Sequence, residues 1–390
     1  MEYKLADRMG RINPSMTLAI DAKAKEMIKS GIDVVGFGAG EPDFDTPDHI
    51  KQAAVDALSS GFTKYTPVAG IVELRRAITH KFERDNHVSY APEQIVVSCG
   101  GKHTCFNIIQ VLCQQGDEVI ISSPYWVSYP EMVKLANAEP VFVETDESTG
   151  FKMTPDQLRQ TITARTRLVI LNSPSNPTGA VYTPSELQAL ADVCLEKGVY
   201  ILSDEIYEHL IYGDACHRSP ASFGPEYKAI TIIAHGFAKA WSMTGWRLGF
   251  CAAPLPIAKA ITTLQSHSTS NPVSFAQKGG VAALEGPQDH LLEWRAAFQK
   301  RRDYALERLQ AMPGVICCQP EGAFYLFPNI SGTGLDSIQF CELLLEEQKV
   351  AVVPGIAFGS DANVRISYAT DMSTIEKGLD RMDAFCRSHA

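Results

Sequence analysis

Leu168-Val-Ile-Leu-Asn172, the turn-rich Ser173-Pro-Ser-Asn-Pro-Thr-Gly179, an amphipathic stretch over 185–197 behind Pro184, and then Val199-Tyr-Ile-Leu202 form the passage that decides the fold. A short apolar run stops at turn formers, a helix-start proline introduces a helical pattern, and a second apolar run follows. This is a strand, its covering helix and the next parallel strand. Residues 94–98, 118–122 and 230–233 repeat the apolar run, with helical patterns between them. The chain is therefore expected to be α/β, a mostly parallel sheet between helices, with ligands bound beyond the carboxyl ends of its strands.

The flanks read differently. A long charged helical pattern over 288–312 leads to apolar runs near 323–327 and 350–353, which implies a second, smaller α+β domain. Near the start, a helix-like stretch over 17–30 precedes an extended 34–37, and both are expected to pack with that smaller domain. The expected division is a large domain over 46–287 and a small domain made of 1–45 and 288–390.

At 390 residues and 45% hydrophobic, the chain can bury the cores of two or three domains. Its net charge of -10 disfavours nucleic acid and anionic membrane surfaces and leaves a small metabolite as the expected partner. No run of about 18 apolar residues and no basic-then-apolar leader is visible, so a cytoplasmic protein that does not span a membrane is expected. The ten cysteines show no zinc-ligand spacing, and they read as buried thiols rather than disulfides or metal ligands.

Between Lys228 and Lys259 the only charged side chains are Lys239 and Arg247, within Ala234-His-Gly-Phe-Ala-Lys239-Ala-Trp-Ser-Met-Thr-Gly-Trp-Arg247-Leu-Gly-Phe250. A lysine in apolar surroundings gives up its proton readily, and a neutral amine is what Schiff-base chemistry requires. In Val199-Tyr-Ile-Leu-Ser-Asp204-Glu-Ile-Tyr207, Asp204 stands just past an apolar strand, where it either caps a helix or meets a heterocycle's nitrogen. Val97-Ser-Cys-Gly-Gly101-Lys102 joins a strand to a helical pattern, so glycines and helix N–H groups can face a phosphate, although such a turn also occurs without a ligand. Trp126, in Ser122-Ser-Pro-Tyr-Trp126, is a ring-stacking residue or a core aromatic. Arg365, in Val364-Arg-Ile-Ser-Tyr368, offers a planar fork for a carboxylate or an internal salt bridge.

Together these segments resemble the fold-type I, class I aminotransferases along nearly the whole chain. The resemblance implies a seven-stranded sheet in the large domain and pyridoxal 5'-phosphate as cofactor, carried on Lys239 as a Schiff base. It implies that Gly101, Lys102 and Arg247 hold the phosphate, that Asp204 pairs with the ring nitrogen, and that Trp126 stacks on the ring. Tyr207 and Asn176 would reach the ring's phenolic oxygen, and the bond from Asn176 to Pro177 would be cis. Gly40, Trp126, Asn176, Lys102 and Arg365 would meet the substrate, with Arg365 clamping its α-carboxylate. Tyr65, in Lys64-Tyr65-Thr-Pro67, would reach the phosphate of a neighbouring subunit, which implies a homodimer with shared active sites.

The implied reaction is ping-pong transamination between an amino acid and a 2-oxo acid, with Lys239 as both tether and acid/base. Gly100-Gly-Lys102, Tyr125-Trp-Val-Ser-Tyr-Pro130 and Met243-Thr-Gly-Trp-Arg247 bring the chain nearest to the bacterial aspartate aminotransferases, in which the counterpart of Lys102 is associated with acidic substrates. Aspartate and glutamate are therefore the expected donors. Three departures stand out: Asn13 where relatives that use prephenate carry a basic residue, Ala238 where many members place serine, and His235 in place of a common asparagine. Aromatic, alanine or prephenate aminotransferases and carbon–sulfur β-lyases share these motifs. A cofactor-sensing transcriptional regulator is a further alternative, but it would need a basic DNA-binding module.

Overall fold

The strand foreseen at 168–172 runs over Thr166–Asn172 in the computed structural model, which describes residues 3–389 apart from the side chains of Leu18 and Asp21. Leu168, Val169, Ile170 and Leu171 are all buried, as a strand covered by helices on both faces requires. It lies inside a seven-stranded sheet ordered Ile95–Ser98, Gly249–Ala252, Thr231–Gly236, Tyr200–Asp204, Thr166–Asn172, Glu118–Ser123, Glu139–Glu144. The five strands from Thr231–Gly236 to Glu139–Glu144 are parallel to one another, whereas Gly249–Ala252 runs antiparallel to both of its neighbours.

Local chemistry sets the covering helices. Pro184–Lys197 begins at a reciprocal cap: Thr183 Oγ1 accepts from the Glu186 N–H at 3.3 Å, and Glu186 returns a carboxylate to the Thr183 N–H at 2.8 Å. It ends at Gly198 with φ of 67°, a left-handed cap suited to glycine. Its buried face, Leu187, Leu190, Val193 and Cys194, packs on Val169, Leu171 and Ile201 of the sheet. Each large apolar side chain so buried contributes about 1.5–3 kcal/mol. On the opposite face, helix Gly101–Leu112 lays Cys105, Ile108 and Ile109 in one cluster with Val119, Ile121 and Leu202.

The C-terminal region forms a separate layer. Val353–Pro354, Val364–Ser367 and Tyr325–Leu326 make a three-stranded antiparallel sheet beside helices Asp289–Gln310, Ser337–Gln348 and Met372–His389. The N-terminal helix Met16–Lys29 leads to Val35–Gly36, which pairs in parallel with Val350–Ala351. Two strands were not foreseen. Glu139–Glu144 is an edge strand whose apolar run, Val141 to Val143, is only three residues long between Pro140 and Glu144, and Gly249–Ala252 is fully buried but hidden behind the lysine segment. Among the described residues, no helix is long and apolar enough to cross a membrane.

Candidate active site

Strand direction explains why residues far apart in sequence meet. Asn172 and Asp204 end adjacent parallel strands as a registered pair. Gly236 ends the next strand three residues before Lys239, and Ser98 ends the far strand just ahead of Gly100 and Gly101. Gly249–Ala252 runs the other way, and Gly249 pairs with both Ser98 and Gly236, so Arg247 just before it reaches the same edge. A cavity of about 410 Å³ opens there, and every site residue named from the sequence lines it except Tyr65. Tyr65 lies outside its own chain's cavity and is 91% exposed.

At the centre, the Lys239 amine donates to the Gly40 carbonyl and lies 5.6 Å from the centre of the Tyr207 ring and 5.5 Å from that of Phe324. Burial, and then the Arg365 cation, lowers its pKa to about 8, against the opposing pull of Glu41 and Asp204. Asp204 is buried, which raises its pKa. Tyr129 Oη, donating to Oδ2 at 2.6 Å, and the Ile206 N–H, donating to Oδ1 at 3.3 Å, work against that rise. The buried Tyr207 hydroxyl pairs with Tyr325 Oη at 2.8 Å.

The opposite end of the cavity is cationic. Helix Gly101–Leu112 starts there behind Gly100, whose φ is 95°. A Cβ on Gly100 would stand 2.5 Å from Arg247 Nη2, so only glycine lets the guanidinium lie against the helix N-terminus. Arg247 remains exposed, with Nη1 donating to the Thr244 carbonyl at 2.8 Å. Lys102 is exposed at the cavity rim with Nζ 5.2 Å from the Trp126 ring centre, and partial desolvation there, with the Arg247 charge, lowers its pKa.

Arg365 closes the third side. It is buried, its Nη1 donates to Asn176 Oδ1 at 3.0 Å and its Nη2 to the Gly38 carbonyl at 2.7 Å, while Nε has no hydrogen-bond partner. Its guanidinium lies 4.6 Å from the centre of the Tyr325 ring. Asn176 is itself aimed by Asn172, whose Oδ1 accepts its N–H at 2.9 Å, and the Asn176–Pro177 bond is cis as foreseen, alongside Ser123–Pro124 and Ser173–Pro174.

The donor set fits a phosphorylated heterocyclic aldehyde. An amine of lowered proton affinity lies between a cationic, N–H-rich end and a buried carboxylate, with an aromatic side chain beside it. Three contributors went unassigned from sequence: Tyr129, Tyr325 and Asn172. Tyr129 lies three residues past Trp126, one helical turn on, and Asn172 is a polar residue ending an apolar strand opposite Asp204; either pattern was a usable signal. Of the three departures, Ala238 lines the cavity. His235 is fully buried, stacked on Phe250, with Nε2 3.0 Å from Glu208. Asn13 stands outside the cavity, with its N–H donating to Glu131 at 2.9 Å.

Comparison with known proteins agrees with this geometry. The family model described as aminotransferase class I and II matches residues 32–382. The chain is 52% identical to an aspartate aminotransferase of Geobacillus stearothermophilus over 99% of this chain and 100% of that one. It is 49% identical to an aspartate/prephenate aminotransferase of Cereibacter sphaeroides, covering 98% of each. The solved aspartate aminotransferase of Thermus thermophilus with maleate superimposes with a TM-score of 0.95 at 44% identity, covering 98% of this chain and 100% of that one. A lysine-centred cavity built for an aldehyde and matches running the length of the chain lead to one assignment: the chain belongs to the class I and II aminotransferases, and pyridoxal phosphate is its cofactor.

Proposed function

We propose that this enzyme transfers the amino group of an acidic amino acid, aspartate or glutamate, to a 2-oxo acid. The observation that carries the reading is a pair of cations lining the same cavity as the Lys239 amine: Arg365, with an unpartnered Nε, and Lys102, above Trp126. One suits the α-carboxylate that every amino acid presents, the other a distal carboxylate. The aspartate aminotransferases among the relatives support the same choice.

When bound, pyridoxal phosphate supplies an aldehyde for the amino group and a ring that spreads the charge left at the substrate's Cα. The chain's own groups do the rest. Arg247 and the first turn of Gly101–Leu112 would hold the phosphate, with Lys102 bordering that end. Asp204 would keep a proton on the ring nitrogen, Tyr207 and Asn176 would serve the phenolic oxygen, and Trp126 would cover the ring against water. Gly40 brings backbone against the substrate. Lys239, whose pKa of about 8 leaves part of it neutral near pH 8, would take the Cα proton and deliver it to the carbon on the other side of the amino nitrogen.

Tyr65, exposed and outside its own cavity, supports a homodimer in which it reaches the partner's phosphate site. The pairing of Val35–Gly36 with Val350–Ala351 supports a small domain made of 1–45 and 288–390 beside a large domain of 46–287. Ten free cysteines support a reducing compartment, the cytoplasm. Relatives that also use prephenate favour a second reading in which that oxo acid is an acceptor, and Asn13 is the residue that weighs against it.

The test records the visible spectrum of the holoenzyme with each candidate donor. Aspartate and glutamate should convert the aldehyde form to the amine form far faster than alanine or phenylalanine, and Lys102→Ala should narrow that gap about tenfold. Equal loss for aspartate and alanine would remove Lys102 from recognition.

A further inference from the structure

The segment from Gly38 to Thr46 has no regular secondary structure, yet it touches both the Arg365 guanidinium and the Lys239 amine. Its Gly38 carbonyl accepts from Arg365 Nη2 at 2.7 Å, and two residues on its Gly40 carbonyl accepts from Lys239 Nζ. Glu41 accepts from Thr244 Oγ1 at 2.8 Å, the Phe44 carbonyl accepts from Ser242 Oγ, and Thr46 Oγ1 donates to the Ser242 carbonyl at 2.7 Å. The strap is thus stitched to the lysine loop along its length.

Its tie to the long helix Asp289–Gln310 is of another kind. Arg301 donates through Nη1 and Nη2 to the two oxygens of Asp43, at 2.7 and 2.8 Å, with the side chains 12% and 26% exposed. The same guanidinium lies 5.2 Å from the Phe44 ring centre and 5.4 Å from that of Phe298, and Phe44 stacks on Trp294 at 4.8 Å with the planes 2° apart. A bidentate pair between ring faces has one geometry, unlike the loose surface pairs that hold nothing in place.

We propose that Asp43 and Arg301 are positioning residues for transamination: their pair fixes the strap so that the Gly38 and Gly40 carbonyls hold the Arg365 fork and the Lys239 amine at the separation an amino acid spans. This rests on the roles proposed above for Lys239 and Arg365. The strap orients the carboxylate clamp in ground and transition states alike, so loosening it weakens binding more than turnover. The phosphate contacts, on Gly101 and Arg247, lie off the strap and are untouched.

The test uses the holoenzyme and the variants Asp43→Asn, Arg301→Met, Arg301→Lys and the Asp43→Asn/Arg301→Met double. Expected for Asp43→Asn and Arg301→Met are an amino-donor KM raised about tenfold, kcat within about twofold, and unchanged affinity of the apoprotein for pyridoxal phosphate. The pH midpoint of the holoenzyme's visible spectrum, which reports the proton on the Lys239 nitrogen, should move in both. Arg301→Lys should recover part of the KM, and the double variant should be no worse than the poorer single one. An unchanged KM overturns the proposal whatever the melting temperature does. So does a joint fall of KM performance, kcat, cofactor affinity and melting temperature, which marks a merely structural tie. Borohydride labelling of the parent holoenzyme separates the two levels: label on Lys239 with an unaltered KM in the variants removes the positioning role alone, and label absent from Lys239 removes the reading beneath it.

Discussion

Arg365 Nη1 lies 3.0 Å from Asn176 Oδ1, a contact that joins the C-terminal three-stranded sheet to a turn at the carboxyl edge of the seven-stranded one. The clamp proposed for Arg365 and the phenolic-oxygen contact proposed for Asn176 would thereby be held as one unit. The clamp's charge is costly to bury, and burial lowers the Arg365 pKa, so the fork keeps its orientation through Asn176, Gly38 and the Tyr325 ring.

Arg365→Lys keeps the charge and loses the fork. The expected loss in kcat/KM is about a hundredfold or more for every amino donor, with the visible spectrum of the bound cofactor preserved. Steady-state kinetics across acidic and neutral donors checks this; a loss confined to acidic donors would move Arg365 to the distal carboxylate.

Asp204→Asn should cost at least about a hundredfold in single-turnover rate, because the ring nitrogen loses its anionic partner. Tyr129→Phe removes the 2.6 Å hydrogen bond to the same carboxylate and should cost about tenfold or less. Stopped-flow absorbance with aspartate ranks the two, and an effect of Tyr129→Phe as large as that of Asp204→Asn would contradict the assignment.

Away from the cavity, fully buried Lys81 pairs with buried Glu208, which also meets Asn86, His209 and His235. Burial pushes the Glu208 pKa up, but Lys81 and the histidines outweigh it and hold the carboxylate well below its usual range. With the folded-state value below the unfolded one, the stability this supplies is complete above the ordinary glutamate value of 4.5 and is lost as pH falls through the folded value. Lys81→Met should destabilise the protein by about 3–5 kcal/mol at neutral pH by leaving Glu208 buried and unpaired. Denaturant melts from pH 7 to pH 4 should show the variant's deficit shrinking as Glu208 becomes protonated.

Much of this was legible in the residues. Strands ending at Asn172, Asp204 and Gly236 announced themselves as apolar runs, and Lys239 stood out because almost nothing near it in sequence is charged. Partnership across the fold was not legible. Tyr129 reaches Asp204 only because a short helix after Trp126 turns it inward, and Tyr325 meets Tyr207 from another sheet altogether. Glu139–Glu144 escaped notice because its apolar run is only Val141 to Val143, with Pro140 before it, a pattern an edge strand tolerates. Asp43 and Arg301 read as ordinary surface charges until the strap and the long helix are brought together.

The most direct measurement reduces the protein with borohydride after incubation with pyridoxal phosphate, at a series of pH values, and maps the labelled peptide. The expected result at every pH is a single pyridoxyl group on Lys239, whose lowered proton affinity favours the neutral amine that bonding to the aldehyde needs. Label on a different lysine, or none at all, would contradict the central claim that this amine carries the cofactor.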